Sequence, residues 1–232
     1  MTFHANLSTL PPAQRSLWPQ LAGATACGFV LYGGTAIALR LGHRQSVDFD
    51  FFSDQALDRT VLIQALPFLQ RATVIQDEPN AWTLLVSGVS PDTGDVGEVV
   101  ASTVKLSFFG GVDFGRVGTP DMTDDGVLQV AAMADLMATK VKVILQRIEA
   151  KDYIDLAAMI ENGESLTRAL TAARVLYGSA FQPSESLKAM VYFEGGDLAV
   201  LTHEQRSTLV NAVAAVANLP VGEITRVART LN

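Results

Sequence analysis

The sequence predicts an α/β (α+β) protein, with a mixed sheet flanked by helices near residues 25–130 and a helical C-terminal portion. Three observations predict it. The apolar run Phe29-Val30-Leu31-Tyr32 reads as a short buried strand, and Gly33-Gly34 then opens a segment, Thr35 to Leu41, with helical spacing. Val47 to Phe52 alternates as a strand should, which puts Asp48 and Asp50 on one face and Phe49 and Phe51 on the other. Beyond Asn162 the apolar spacing is helical almost throughout.

The elements follow in order. Asp58 to Arg71 reads as an amphipathic helix with Val61, Leu62, Leu66 and Leu69 inward, broken or kinked near Pro67. Ala72–Ile75, Trp82–Val86 and Ser102–Phe109 read as strands, separated by turns such as Ser90-Pro91-Asp92-Thr93-Gly94-Asp95, and Val127–Val130 as a further strand. A helical pattern begins at Met133 or Ala134 and runs to about Arg147, and Lys151 opens another helix. Helices are expected over Ser165–Tyr177, Ser184–Phe193 and His203–Leu231, the last with Thr202 as its N-cap. The expected organisation is a catalytic domain over residues 1–160 and a helical region over 161–232.

Composition sets the outer limits. The chain has 232 residues, 49% of them hydrophobic and 18% charged, which suits an ordered, compact protein and excludes a disordered one. Leu21 to Leu39 is nineteen residues without a charge, nominally a membrane span, but it holds four glycines and two threonines and leads into an acidic motif. No membrane segment and no cleavable signal peptide are expected, since Met1 to Gln20 is polar and broken by proline. Cys27 is the single cysteine and cannot form an internal disulfide, so a reducing, cytoplasmic location is expected, with Cys27 as a small core residue. A net charge of −7 would hold nucleic acid poorly by bulk electrostatics. Any such partner needs a local patch, for which Arg40, His43, Arg44, Lys140, Lys142, Arg147 and Lys151 are candidates.

The chemistry is concentrated in Leu31–Ser53. A helix that starts after paired glycines points free N–H groups and its positive dipole end forward, so a phosphate is a natural occupant at Gly33, Gly34 and Thr35. Residues i and i+2 of a strand are roughly 6.5–7 Å apart, so Asp48 and Asp50 can share a cation. Mg²⁺ fits such a site, because it accepts one or two protein carboxylates and completes its octahedron with phosphates and water. An isolated D-x-D is usually no more than two solvated acids. Here the glycine turn, helix and apolar strand around it favour a metal–nucleotide site.

Gly33-Gly34-Thr35, Arg44-x-Ser46-x-Asp48-Phe49-Asp50-Phe51-Phe52 and Lys140…Arg147…Lys151-Asp152-x-x-Asp155-Leu156 resemble the nucleotidyltransferases of the AbiEii/AbiGii toxin family, within the DNA polymerase β-like superfamily. The similarity covers roughly Val30 to Ile160. The resemblance implies a nucleotidyltransferase fold and an Mg²⁺-dependent enzyme that moves an NMP from an NTP to an acceptor, RNA such as tRNA in related toxins. It also implies a toxin–antitoxin or abortive-infection context with an antitoxin partner. Asp48 and Asp50 would be catalytic and hold the metal, Lys140 and Asp152 would be catalytic, and Gly33, Gly34, Thr35, Arg44, Ser46 and Arg147 would bind nucleotide.

The second constellation also has a reading from spacing. Lys140 and Arg147 are seven apart, nearly one helical stripe, and could touch phosphates as a point charge and a planar fork. Asp152 and Asp155 would be neighbours on the next helix, where acids also complement the dipole. Aromatic Trp82 and Tyr153 could stack on a base but read first as core. The strand expected to carry a third acid offers Lys105 and Ser107 instead, with Glu98 and Asp113 out of register. Either Asp152 completes the site, which is preferred, or one metal alone is held tightly, or activity is reduced. Two alternatives remain: a small-molecule, antibiotic-type nucleotidyltransferase, and a non-catalytic nucleotide- or protein-binding relative.

Overall fold

The computed structural model describes residues 1–87, 103–217 and 224–232, and the turn expected at Ser90–Asp95 and Glu98 lie outside them. Contacts divide the chain into two compact units, one of residues 1–113, 120–131 and 230–232, the other of residues 114–119 and 132–229. This is a division by packing. It differs in kind from the functional limit expected at residue 160.

The first unit carries the sheet. Its elements are β1 (Thr2–Phe3), α1 (Pro12–Leu17), α2 (Ala22–Ala26), β2 (Val30–Tyr32), α3 (Gly33–Leu41), β3 (Asp48–Phe52), α4 (Arg59–Ala65), β4 (Thr73–Glu78), β5 (Ala81–Ser87), β6 (Thr103–Phe109), β7 (Asp121–Thr123) and β8 (Gln129–Val130). Among the described residues eight strands form one sheet in the order β1-β7-β8-β2-β3-β6-β5-β4. The sheet is mixed, as expected: β3 runs antiparallel to β2 and parallel to β6, and β5 runs antiparallel to both β4 and β6.

Alternation decides which face is core. Phe49, Phe51, Leu106, Phe108, Trp82 and Leu84 are buried on one side of the sheet. Phe51 stacks on Phe108 with ring centroids 5.1 Å apart, Phe29 meets Phe108 edge-on at 5.4 Å, and Trp18 reaches Phe49 at 6.4 Å. Burying each large aromatic is worth about 2–3 kcal/mol, so a slip of β3 by one residue, which would swap these rings with Asp48 and Asp50, is strongly disfavoured. The expected separation of acids from Phe49 and Phe51 is therefore observed.

The break at Pro67 and the core placement of Trp82 and Tyr153 are as expected, while Val61 and Cys27 differ. The Asp58 side chain caps α4 by accepting from the N–H groups of Thr60 and Val61, and α4 gives way to a 3-10 turn at Pro67–Arg71 because proline has no N–H to continue it. Val61, expected inward, is exposed. Trp82 and Tyr153 are core residues. Cys27 is half-buried at the end of α2, and burial raises its thiol pKa, with the Asp58 charge adding to the effect.

The second unit is helical, with α5 (Met133–Val143), α6 (Ala150–Glu161), α7 (Leu166–Tyr177), α8 (Pro183–Met190) and α9 (His203–Ala214). Leu136, Met137, Val141, Leu156, Met159 and Leu170 supply its core. Thr202 caps α9, as the sequence suggested, in a reciprocal capping box with Gln205, while Ser165, expected as the first residue of a helix, is the N-cap of α7. The expected helix to Leu231 is not observed: α9 ends at Ala214. Residues 224–232 are non-helical, with the Arg116 N–H donating to the Ala228 carbonyl and the Arg226 guanidinium donating to the carbonyls of Val175 and Leu176. The Val227 N–H donates in turn to the Arg116 carbonyl, so this part of the segment pairs with residue 116 in place of a helix. Among the described residues no helix is long and apolar enough to cross a membrane.

Candidate active site

The polar face of the sheet in the first unit brings the expected phosphate and metal residues together. Asp50 is paired across β2 with Tyr32, the residue that immediately precedes α3. Gly33, the first residue of α3, has φ +75° and approaches Asp50 so closely that a Cβ there would stand 2.6 Å from Asp50 Oδ2. Glycine is required on both counts, and the cradle and the acid are thereby parts of one site. The first-turn N–H groups of Gly33, Gly34 and Thr35 have no acceptor inside the helix, and the N-cap Tyr32 side chain makes no capping bond. Gly33→Ala is expected to lower nucleotidyl transfer about 100-fold by displacing the Asp50 carboxylate, with the fold retained; initial rates alongside a circular-dichroism melt check this.

The side chains of Thr35 and Ser46 make internal contacts. The Thr35 hydroxyl is buried, donates to the Asp48 main-chain carbonyl and is 2.8 Å from Ser46 Oγ; Ser46 is buried too. Their side chains tie the start of β3 to α3, so they position Asp48, and only the Thr35 backbone N–H is left for an anion. Arg44 is partly exposed and donates to its neighbour's carbonyl at Gln45.

On β6, which is parallel to β3, Lys105 stands opposite Asp48 and Ser107 opposite Asp50. The Lys105 ammonium is 3.0 Å from Asp48 Oδ2. No third acid lies in this register, as the sequence indicated, and Asp113 is exposed beyond the strand. Among the described residues no group of three or more His, Cys, Asp or Glu is placed to hold a metal. Two half-exposed carboxylates suit Mg²⁺, an ion that takes most of its ligands from phosphate and water.

Lys140, Arg147 and Asp152 come together in the second unit. Lys140 and Asp152 are buried, and the Lys140 ammonium is 2.5 Å from Asp152 Oδ1 and 2.7 Å from Asp155 Oδ2. Arg147 adds two bonds to Asp152, from Nε at 2.8 Å and from Nη2 at 3.1 Å. Burial pushes the Asp152 carboxyl pKa up, but the Arg147 hydrogen bonds and the Lys140 charge outweigh it and hold the group below the ordinary carboxylate value. The reading of Lys140 and Arg147 as one helical stripe fails, because α5 ends at Val143; they meet at Asp152 instead. Asp152 has no exposure and both its oxygens accept from cations, so in this conformation it anchors a charge cluster and is not an open third acid. Asp155 also belongs to that cluster through Lys140, a role that the spacing of two helix acids does not disclose.

The candidate basic patch is also redistributed. Arg40 donates to the carbonyls of Val130 and Ala131, pairs with Asp121 at 3.0 Å and lies over the Phe3 ring. Lys142 lies 3.8 Å from the Tyr177 ring centroid. These cations hold the fold together.

The comparisons agree with this fold. The sequence profile of the nucleotidyl transferase AbiEii toxin family, of type IV toxin–antitoxin systems, matches residues 21–208. An uncharacterised protein of Aquifex aeolicus (strain VF5) is 27% identical over 189 residues, covering 80% of this chain and 84% of that protein. The fold is similar to the crystal structure of a candidate nucleotidyltransferase from Helicobacter pylori, with a TM-score of 0.58, 16% identity, and coverage of 87% of this chain and 92% of that one. It is also similar to JHP933 from Helicobacter pylori, with a TM-score of 0.57, 16% identity, and coverage of 87% and 88%. With the family profile spanning most of its length, including the glycine turn, both strand acids and the Lys140–Asp152 cluster, the chain belongs to the AbiEii family of nucleotidyltransferase toxins.

Proposed function

We propose that this nucleotidyltransferase moves an NMP from an Mg²⁺-bound NTP to an RNA acceptor such as a tRNA, in the cytoplasm, and that an antitoxin partner restrains it. The observation that carries the nucleotide half is the contact between the turn and the acids: Gly33, at the start of α3, leaves room for the Asp50 carboxylate that any Cβ would remove. Asp48 and Asp50 would hold the metal, which when bound supplies positive charge to the triphosphate and to the transferred phosphorus. The N–H groups of Gly33, Gly34 and Thr35 would orient phosphate oxygens, at no reorganisation cost because they belong to a helix end. Thr35 and Ser46 hold Asp48 in place. Within the second unit, Lys140, Arg147 and Asp152 form a preorganised charge cluster in which Arg147 is the member that reaches solvent. Positioning and electrostatics do most of the work in such transfers, so rigid strands and helix ends suit the task.

RNA as acceptor is supported by the family alone. A small-molecule acceptor is favoured by one observation: Arg40, Lys140 and Lys142, three of the cations that could have formed a nucleic-acid patch, make internal contacts instead. The purified chain, incubated with each labelled NTP, Mg²⁺ and total RNA, is expected to transfer label from one NTP to an RNA band, with pyrophosphate released and transfer abolished by EDTA. Label that appears only on small molecules after RNA is omitted would replace RNA by the second acceptor class. No transfer with any NTP and either acceptor would sink the nucleotidyl-transfer mechanism proposed for Asp48 and Asp50.

A further inference from the structure

We propose that Lys105 is a built-in cation of the nucleotide site and takes the place of one metal ion, so that the chain fixes a single divalent cation with its triphosphate. This rests on the reading of Asp48 and Asp50 as the metal and phosphate acids. Because β3 and β6 are parallel and in register, Asp48, Asp50, Lys105 and Ser107 all project from the same face of the sheet. The Lys105 ammonium is 3.0 Å from Asp48 Oδ2, and the two side chains are 38% and 29% exposed, so the pair is reachable from solvent. Ser107 is buried between its partners Asp50 and Thr83, and it offers a hydroxyl where a second metal would need a carboxylate.

Charge decides the consequence. Asp48, Asp50 and Lys105 together carry a net charge of −1. One dication reverses that sign and can receive a polyanionic triphosphate. A second dication sharing Asp48 would meet the ammonium already on that carboxylate, a like-charge contact with no third acid among the described residues of β3 and β6 to offset it. The lysine stem is long and flexible and its ammonium binds phosphate as a point charge, so Lys105 can leave Asp48 for a phosphate oxygen when triphosphate arrives. Lys105 is thus a triphosphate-binding residue, while Ser107 marks the position where a second metal is not supported.

The test uses the full chain, Mn²⁺ and a non-hydrolysable NTP analogue. Electron paramagnetic resonance is expected to count one tightly bound Mn²⁺ per chain. Lys105→Ala is expected to weaken analogue binding about tenfold, measured with Mn²⁺ and again in EDTA, with the Mn²⁺ count still one. Lys105→Arg should keep most of the affinity, and matching melting curves establish that both variants fold. Two tight Mn²⁺ per wild-type chain, or unchanged analogue affinity in Lys105→Ala, overturns the proposal. Asp50→Asn separates it from the reading beneath: loss of Mn²⁺ binding in that variant upholds the acids whatever Lys105 does, whereas retention at wild-type affinity overturns the acids and the Lys105 proposal with them.

Discussion

Asp50→Asn is expected to lower label transfer from NTP by at least about 100–1,000-fold, the range seen when one preorganised electrostatic contact at a reacting centre is removed. The substitution keeps the side chain's volume and deletes its charge. Asp50 stands at the third position of β3, a strand with neighbours on both sides, and its carboxylate fills the space left by Gly33. A neutral amide there is a poor ligand for Mg²⁺, and the remaining acid, Asp48, already faces Lys105. The side chain is only half-buried, so melting temperature should change by no more than a few degrees. Single-turnover transfer rates with wild type and variant, at matched Mg²⁺ and NTP, measure the effect. Transfer that survives would remove Asp50 from the mechanism and leave the Gly33 contact without a catalytic meaning.

The second large effect is on stability. Asp152→Asn removes the charge that both Lys140 and Arg147 address, and leaves the buried Lys140 ammonium with Asp155 alone. Breaking a buried charged pair from one side costs about 3–5 kcal/mol; the exposed position of Arg147, which can turn to water, places this case near 3 kcal/mol. For a chain of this size that is a fall of roughly 6–12 °C in Tm. The pH dependence follows from the direction of the shift. The folded-state pKa of Asp152 is below its unfolded value, so the cluster's contribution is present above the ordinary carboxylate range, near pH 4, and is lost as pH falls through the folded value. Wild type should therefore lose Tm on acidification through that window, and the variant should lose less. Melts from pH 3 to 7 decide it; a variant that melts within 2 °C of wild type at pH 7 would show that the cluster contributes little to folding.

Which parts of this were legible in the sequence depends on the range of the interaction. Gly33-Gly34, the alternation of Val47–Phe52 and the N-cap at Thr202 are properties of a few adjacent residues, and they fold as their local chemistry requires. Helix ends were less legible. α5 stops at Val143, so Arg147 reaches Asp152 from the turn beyond the helix, and α9 stops at Ala214 although apolar residues continue beyond it. Propensity is a weak signal at such ends, and packing overrides it. The side-chain duties of Thr35, Arg40 and Lys142 were hidden for another reason. Each bonds to an element distant in sequence, and a polar residue near a motif looks the same whether it faces a ligand or a neighbouring carbonyl.

Resemblance to the AbiEii/AbiGii toxins implied a nucleotidyltransferase, and the sequence by itself determined the local signals of a metal–nucleotide site: two acids at alternate positions of one strand and a glycine turn before a helix. Those signals need only backbone periodicity and the conformational freedom of glycine, both of which are local. The tertiary structure alone decided what stands beside each charge. Parallel pairing of β3 with β6 set Lys105 against Asp48, and burial joined Lys140, Arg147, Asp152 and Asp155 in one cluster. Strand register and helix packing are settled by long-range burial of residues such as Phe51 and Phe108, which the spacing of charged residues along the chain does not encode.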